Sequence, residues 1–339
     1  MSEAARRLGR AAAVVLVDTY LAALIGWLIV VAVVGDRPEP LYVINSLGVY
    51  WFAPLPVALL AALALRHWPG LTLALAGVLV WAAVFGPYFL PALQPVPAGQ
   101  PLRVMTSNLL GYNPDTAGAV AALRASGADL IGLNELSLAT ADAVSSDLRA
   151  EYPYQVLDPR RGVTGSGIIS RYPLTLAAVP FVADERVGVW MGPPLAVDVA
   201  VNGQTVTVVL FHTYSGPQWG NERRAAARAL ADYAAAHPGP VIVMGDLNAT
   251  ELSLAYRSLA RPLRDAWAAQ GWGLGHTFPG SLVPGSSRPV IAGVPVPQWL
   301  VRIDFIFYSP GLAAASASIG PWDGGSDHRP VLADLILEP

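Results

Sequence analysis

The sequence predicts an α+β fold, with two packed β-sheets flanked by helices and preceded by three transmembrane helices. Three observations predict it. The first 94 residues are almost wholly apolar, with five Arg and four acids among them. From residue 101 onward, short β-branched runs alternate with stretches of helical period. Two of these runs, VDVAV and QTVTVV, are joined through Asn202-Gly203, a strong signal for a tight hairpin.

The membrane part comes first in the chain. Residues 11–35, 45–65 and 71–90 are each apolar over about 20 residues or more, the length a helix needs to cross the hydrocarbon core. Pro54, Pro56 and Pro87 lie toward segment ends, where a kink is tolerated. A cleavable signal peptide is the alternative for the first segment, but its apolar core is longer than usual and no clear A-x-A site follows. Asp18 within that segment is costly, so it is expected either in a polar contact between helices or on a head-group path. Arg6, Arg7 and Arg10 before the first span, and Arg66 with His67 between the second and third, favour the cytoplasmic side. Three spans that start inside leave residue 91 onward outside the cell. The expected organisation is a multi-pass cell-membrane domain over 1–94, a linker over 95–100 and an extracytoplasmic globular domain over 101–339. The proline-rich PALQPVPAGQP around that linker reaches at most about 30 Å at roughly 3.1 Å per residue, so the domain stays close to the outer leaflet.

Composition removes several functions. The chain is 54% hydrophobic and 13% charged, and its mean hydropathy of +0.46 is high for a soluble protein. Every basic residue is Arg, and the globular part carries 16 Arg against 20 acids. Nucleic-acid binders depend on a basic surface to neutralise phosphates, so no nucleic-acid partner is expected. The chain has no cysteine, which excludes disulfides and thiolate metal sites.

The globular part then unfolds as a series of strands: LRVMTSNLL, ADLIGLNEL, GSGIISRYPL, the Asn-Gly hairpin ending LFHT, PVIVMGDLN, VRIDFIFYS and PVLADLIL. Helical patterns fall at about 114–126, 137–151, 220–236 and 251–260. Polar residues gather at strand ends. Asn108 ends the first, Glu135 the second and His212 the hairpin's return strand; Asp246 and Asn248 end the next, and Asp327 with His328 precedes the last. Asp304 sits inside RIDFIF, where a charge needs a partner. One such residue is ordinarily a turn former or a helix cap. Seven such residues that share the pattern are hard to treat as turns.

In this order, MTSNLL, LIGLNEL, GSGIISRYPL, LFHT, VMGDLNA, RIDFIF and GSDHRPV resemble the endonuclease/exonuclease/phosphatase superfamily, which includes DNase I, abasic-site endonucleases, inositol polyphosphate 5-phosphatases and neutral sphingomyelinases. The resemblance covers about residues 101–337 and implies a four-layer α/β sandwich and a metal-dependent hydrolase. It implies Mg²⁺, with Mn²⁺ possible, held by Glu135 with Asn108 beside it and Asp327 in the metal or phosphate shell; a hard cation that keeps its waters needs only one or two carboxylates. His328 resembles the catalytic histidine and Asp304 its orienting carboxylate. Asp246 is similar to the residue that positions or deprotonates the attacking water, and Asn248 and His212 to groups that hold phosphate oxygens. One departure is Asn134, where the family usually has Gln before its metal glutamate. Asp265 also matches a family position, followed by Thr277 and Phe278 at family-like spacing, and it reads as structural.

Fold alone does not select the substrate. The three spans, short tether and acidic domain point to a phosphate ester at the membrane surface. The arrangement resembles the teicoplanin-resistance membrane phosphatases of actinobacteria, which implies a lipid-linked substrate such as undecaprenyl pyrophosphate. In TYSGPQWGNERRAAAR, Trp219 fits the interface and Arg223 and Arg224 fit a pyrophosphate or head groups; an ordinary helix start with solvated arginines is the competing reading. The Pro/Gly-rich loop 280–301, apolar and carrying Trp299, suits a substrate rim or a membrane-facing lip; a packed surface loop is the competing reading. A membrane-tethered nuclease or a sphingomyelinase-type phospholipase C is the alternative enzyme. A receptor that merely keeps the fold would not need Glu135, Asp246, Asp304 and His328 together.

Overall fold

The computed structural model describes residues 2–90, 96–179, 191–283, 286, 288–320 and 324–338. Residues 91–95, at the expected boundary of membrane domain and linker, lie outside them, as do three residues of the 280–301 loop. The chain divides into two compact units, 1–90 and 91–339.

The N-terminal unit differs from the three-span expectation. Helix α1, Glu3–Val33, is long and apolar enough to cross a membrane. The second expected span is broken into α2 (Glu39–Ser46), a 3-10 turn (Gly48–Phe52) and α3 (Leu55–Ala64), and the chain bends by 63° between Ser46 and Gly48. Pro54 and Pro56 cause the second break: each lacks an N–H, so both stand at the start of α3 instead of inside a continuous helix. At about 1.5 Å per residue, the ten residues of α3 cover only half the hydrocarbon core. Helix α4, Trp68–Val84, is apolar but has 17 residues. Among the described residues, one helix is thus long and apolar enough to cross a membrane, or two if the bent pair counts as one span.

Polar links and small residues hold this unit together. Asp18 Oδ1 lies 2.7 Å from His67 Nε2, so the carboxylate of α1 meets the residue preceding α4. Trp27 Nε1 donates to the buried Asn45 Oδ1, and Asn45 Nδ2 donates to the Gly35 carbonyl. Ala58, Ala62, Gly70, Ala74 and Gly77 are the buried positions of α3 and α4 together with Leu55, as expected where small residues let helices approach.

The C-terminal unit is a sandwich of two sheets. One has the order β13-β14-β1-β2-β4-β3, with β1 Gln100–Asn108, β2 Leu130–Asn134, β3 Tyr154–Asp158, β4 Ser166–Ser170, β13 Leu312–Ile319 and β14 Val331–Leu337. The other has the order β5-β6-β7-β8-β12-β9, with β5 Leu174–Leu176, β6 Leu195–Val201, β7 Gln204–His212, β8 Val241–Asp246, β9 Arg264–Asp265 and β12 Asp304–Tyr308. The Asn202-Gly203 turn joins β6 to β7 as an antiparallel pair.

Period-two alternation builds the layers. Leu102, Val104 and Leu130 point at Val208, Leu210, Ile242, Met244 and Ile306 of the facing sheet. Met105, Ile131 and Leu133 point the other way, onto helices α5 (Thr116–Ala125) and α6 (Leu138–Asp147). On the far side of the second sheet, Phe305 and Phe307 pack against Tyr256 of α8 (Leu254–Leu259). Helix α7 (Gly220–Ala236) runs beside α8 and buries Ala226, Ala227 and Leu230. These layers are the α/β sandwich that the sequence predicts.

Candidate active site

Strand register brings the polar ends to one edge. Parallel pairing sets Asn108 beside Asn134, which directly precedes Glu135, and sets His212 beside Asp246. Strand β12 runs antiparallel to β8, so its first residue, Asp304, is the partner of the last residue of β8, Asp246. Ser326 then ties in the final loop: its hydroxyl donates to the Asn108 carbonyl and accepts from the His328 amide.

The seven sequence positions other than Glu135 are buried, and Glu135 keeps 12% of its side chain exposed. Asn108 Nδ2 donates to Glu135 Oε1 at 3.0 Å and to Asp246 Oδ2 at 3.1 Å. Its Oδ1 accepts from the Leu110 amide, and flipping the amide would set two donors face to face. Asn108 is therefore a bridge between two carboxylates, one of them Glu135, the residue that the resemblance implies as the principal metal ligand. Glu135 Oε2 accepts from the Gly111 amide. His212 Nε2 lies 3.5 Å from Asp246 Oδ2 and 3.2 Å from Asn248 Nδ2, which also donates to the Thr213 carbonyl. The Asn248 amide donates to Asp246 Oδ1. Across the cluster, His328 Nδ1 meets Asp304 Oδ2 at 2.9 Å, and its Nε2 is 3.8 Å from Asp246 Oδ2 and 3.9 Å from Asp327 Oδ1. The Phe278 ring packs on the imidazole at 5.0 Å.

Backbone strain marks the same residues. Glu135 and Asn248 have φ of 56° and 48°, a region that costs a residue with a side chain unless its surroundings impose it. Gly245, at φ 142°, lets β8 approach β7 so closely that an added Cβ would meet the Phe211 carbonyl.

The electrostatics follow from crowding carboxylates in a dry site. Burial raises the Asp246 carboxyl to about 8, with the Asp304 charge adding to it. Burial also raises Glu135, against the hydrogen bonds from Gly111 and Asn108. Burial opposes a charge on His328, yet Asp304, Asp246 and Asp327 outweigh it and hold the imidazole well above its usual value. His212 goes the other way: burial, then repulsion from His328, lowers it to about 3, so it stays neutral.

This donor set fits a divalent cation. Among the described residues, the ionisable groups facing Glu135, Asp246 and Asp304 are two histidines, of which His212 stays neutral, and further carboxylates, a surplus of negative charge that a hard cation relieves. Asp246, Asp304 and His328 have ligand atoms within 4.8 Å of one another. An ion at that triplet would displace the His328–Asp304 hydrogen bond, so the less buried Glu135, beside Asp246, is the better anchor.

The remaining predicted residues are placed elsewhere. Arg223 is 1% exposed and donates to the Tyr214 and Gly216 carbonyls; it braces the loop after β7 and offers no solvated guanidinium to a head group. Arg224 is also buried and donates to Asn221 Oδ1. Trp219 stacks on Tyr214 with ring centroids 4.5 Å apart. Asp265 is structural, as its motif suggests: it accepts from Arg302 at 2.7 Å, from the Tyr256 hydroxyl and from the Trp267 amide. A groove of about 490 Å³ lined by Arg228, Asp232, Ser258 and Arg261 contains none of the clustered residues. The sequence reading missed Ser326, Gly111 and the contact of Phe278 with His328. Ser326 had a signal, its place inside the GSDH motif; the backbone role of Gly111 had none.

An acid–base cluster of carboxylates and histidines at the edge of a two-sheet sandwich defines a hydrolytic enzyme as the class. The family described as the Endonuclease/Exonuclease/phosphatase family matches residues 105–328. The chain belongs to that family, whose members are metal-dependent hydrolases of phosphodiester bonds. No curated protein sequence matches it. Among solved structures, it is similar to D. rerio TDP2 complexed with single strand DNA product, at 18% identity over 70% of this chain and 99% of that one, TM-score 0.54. An endonuclease/exonuclease/phosphatase family protein from Bacteroides thetaiotaomicron is similar at 16% identity over 72% and 100%, TM-score 0.52. One from Bacteroides vulgatus follows at 21% over 70% and 100%, TM-score 0.50. At these identities the likeness is one of fold.

Proposed function

We propose that the protein is a Mg²⁺-dependent phosphatase of a lipid-linked pyrophosphate, such as undecaprenyl pyrophosphate, working at the outer face of the cell membrane. The observation that carries the chemistry is the His328–Asp304 pair facing Asp246 across 3.8 Å. Asp304 fixes the imidazole so that Nε2 faces the reacting centre, and the raised basicity of His328 keeps a proton there for a phosphate oxygen. Asp246 Oδ2, beside the Asn108 amide, accepts the proton of the attacking water in its ionised form, which positive charge held at Glu135 would favour against the burial that raises it. Neutral His212 and Asn248 set the position of Asp246 and line the phosphate side. When bound at Glu135, the cation supplies Lewis-acid stabilisation of the phosphate oxygens.

The membrane side of the reading is supported by α1, by a short tether and by a globular domain whose acidic surplus suits a small phosphate ester better than a polynucleotide. Its test is product release by the purified full chain with Mg²⁺. Inorganic phosphate from undecaprenyl pyrophosphate supports it. Release of phosphocholine from sphingomyelin, or nicking of plasmid DNA, with no phosphate freed would assign the site to the alternative enzymes.

A further inference from the structure

Beside the site stands a feature the chemistry does not use. Strands β10 (Val290–Ile291) and β11 (Val294–Pro295) form a two-stranded hairpin, with Ile291 opposite Val294. Its turn, Ala292-Gly293, has φ of 50° and 79°, the mirror-image geometry that closes two-residue hairpins. Val290, Ile291 and Val294 are 52%, 68% and 67% exposed. No charged residue occurs from Pro289 to Val301. An isolated ribbon is marginal in water, and exposed strands are ordinarily guarded by charge. This one is apolar on both faces.

The base of the hairpin is built differently. Arg288 donates to the Val296 and Gly280 carbonyls. The Trp299 amide donates to the Pro279 carbonyl, and the Arg329 guanidinium lies 4.0 Å over the Trp299 ring. Gly280 in turn donates to the Asp327 carbonyl. Apolar tip, arginine and tryptophan at the base, and then the catalytic loop thus follow one another in order.

We infer that this hairpin is a membrane-insertion finger that dips into the lipid interface and sets the height of the active site. Tip and base are three residues apart in sequence, about 10 Å of extended chain, comparable with the roughly 5–10 Å to which interfacial elements sink. Arg288 and Trp299 then fall at head-group level, the depth that such side chains favour. Residues 91–99 reach at most about 30 Å even when extended, so with the whole unit 1–90 at the bilayer, as the membrane reading has it, the domain that carries this tip stays tethered close to the lipid surface. The inference rests on the membrane reading above and is independent of the chemistry.

Because the chain has no cysteine, single-cysteine labels test it directly. Full-length protein in proteoliposomes, carrying an environment-sensitive fluorophore at Ile291→Cys, Leu16→Cys in α1 or Ser145→Cys on exposed α6, is titrated with spin-labelled lipid. Quenching at 291 and 16 but not at 145 is expected. Val290→Ser with Val294→Ser should then weaken quenching at 291 by on the order of tenfold or more, the partition value of losing buried side chains of this size. Quenching at 16 without 291 would overturn the finger and leave the membrane anchor standing. A blue shift at 291 without lipid quenching would mean that protein covers the tip, and would overturn it as well. No quenching at 16 would remove the anchor and the inference together.

Discussion

Asp304→Asn keeps the shape of the residue and removes its charge, so it isolates what the carboxylate does for His328. The His328–Asp304 bond is 2.9 Å long with both side chains almost wholly buried. A hydrogen bond to a charged group contributes about 1.5–3 kcal/mol, and each 1.36 kcal/mol is roughly tenfold in rate. If Asp304 holds the protonated imidazole, kcat/KM falls by roughly 10- to 150-fold. The basic limb of the pH–rate profile also moves down, because Asp304 is the chief carboxylate raising His328. The assay is phosphate release at saturating Mg²⁺ from pH 5 to 10, with circular dichroism to show that the variant folds. A folded Asp304→Asn enzyme within twofold of the parent, with an unmoved profile, would refute the pairing.

Further outcomes follow from the same geometry. With Glu135→Ala, Mg²⁺ should no longer raise Tm; in the parent, ion at 100 times its Kd adds about 2.7 kcal/mol, and an equal rise in both would place the ion elsewhere. The folded Asp246 carboxyl, raised to about 8, and the raised His328 both stabilise the metal-free fold at low pH and lose that contribution as pH rises, Asp246 between about pH 4 and 8. Because the lowered His212 gains stability as pH rises to about 6.5 and so opposes Asp246 below that point, melting of EDTA-treated protein should show stability falling above about pH 6.5, and the Mg²⁺-induced rise should be larger at pH 8.5 than at pH 6. Asp265→Ala leaves the buried Arg302 guanidinium without its carboxylate, a change worth about 3–5 kcal/mol, so Tm should drop by on the order of 10 °C; a drop under about 2 °C would contradict the structural role. Gly245→Ala drives a methyl into the Phe211 carbonyl and should lower Tm and activity together.

The sequence carried the sandwich because its strands obey simple alternation and the Asn202-Gly203 turn leaves little choice of pairing. It carried the residues of the site because His212, Asp246 and Asp304 end or begin strands that pair in register. It did not carry the orientation of side chains. Asn108 turns its amide nitrogen to the carboxylates because its oxygen is taken by Leu110, and Arg223 turns inward to brace backbone carbonyls; neither choice is encoded in spacing. The breaks in the membrane part were not legible for a related reason. Hydropathy saw a continuous apolar run over 45–65, whereas prolines and a turn divide it into pieces too short to span singly.

The most direct test of the account is turnover of undecaprenyl pyrophosphate in ¹⁸O-water by the full chain, before and after EDTA and with His328→Ala. The account predicts inorganic phosphate that carries one solvent oxygen, abolished by EDTA, restored by Mg²⁺ and lost in the variant. Phosphate released at an unchanged rate by His328→Ala, or by metal-stripped enzyme, would contradict the assignment of the strand-edge cluster as the catalytic site.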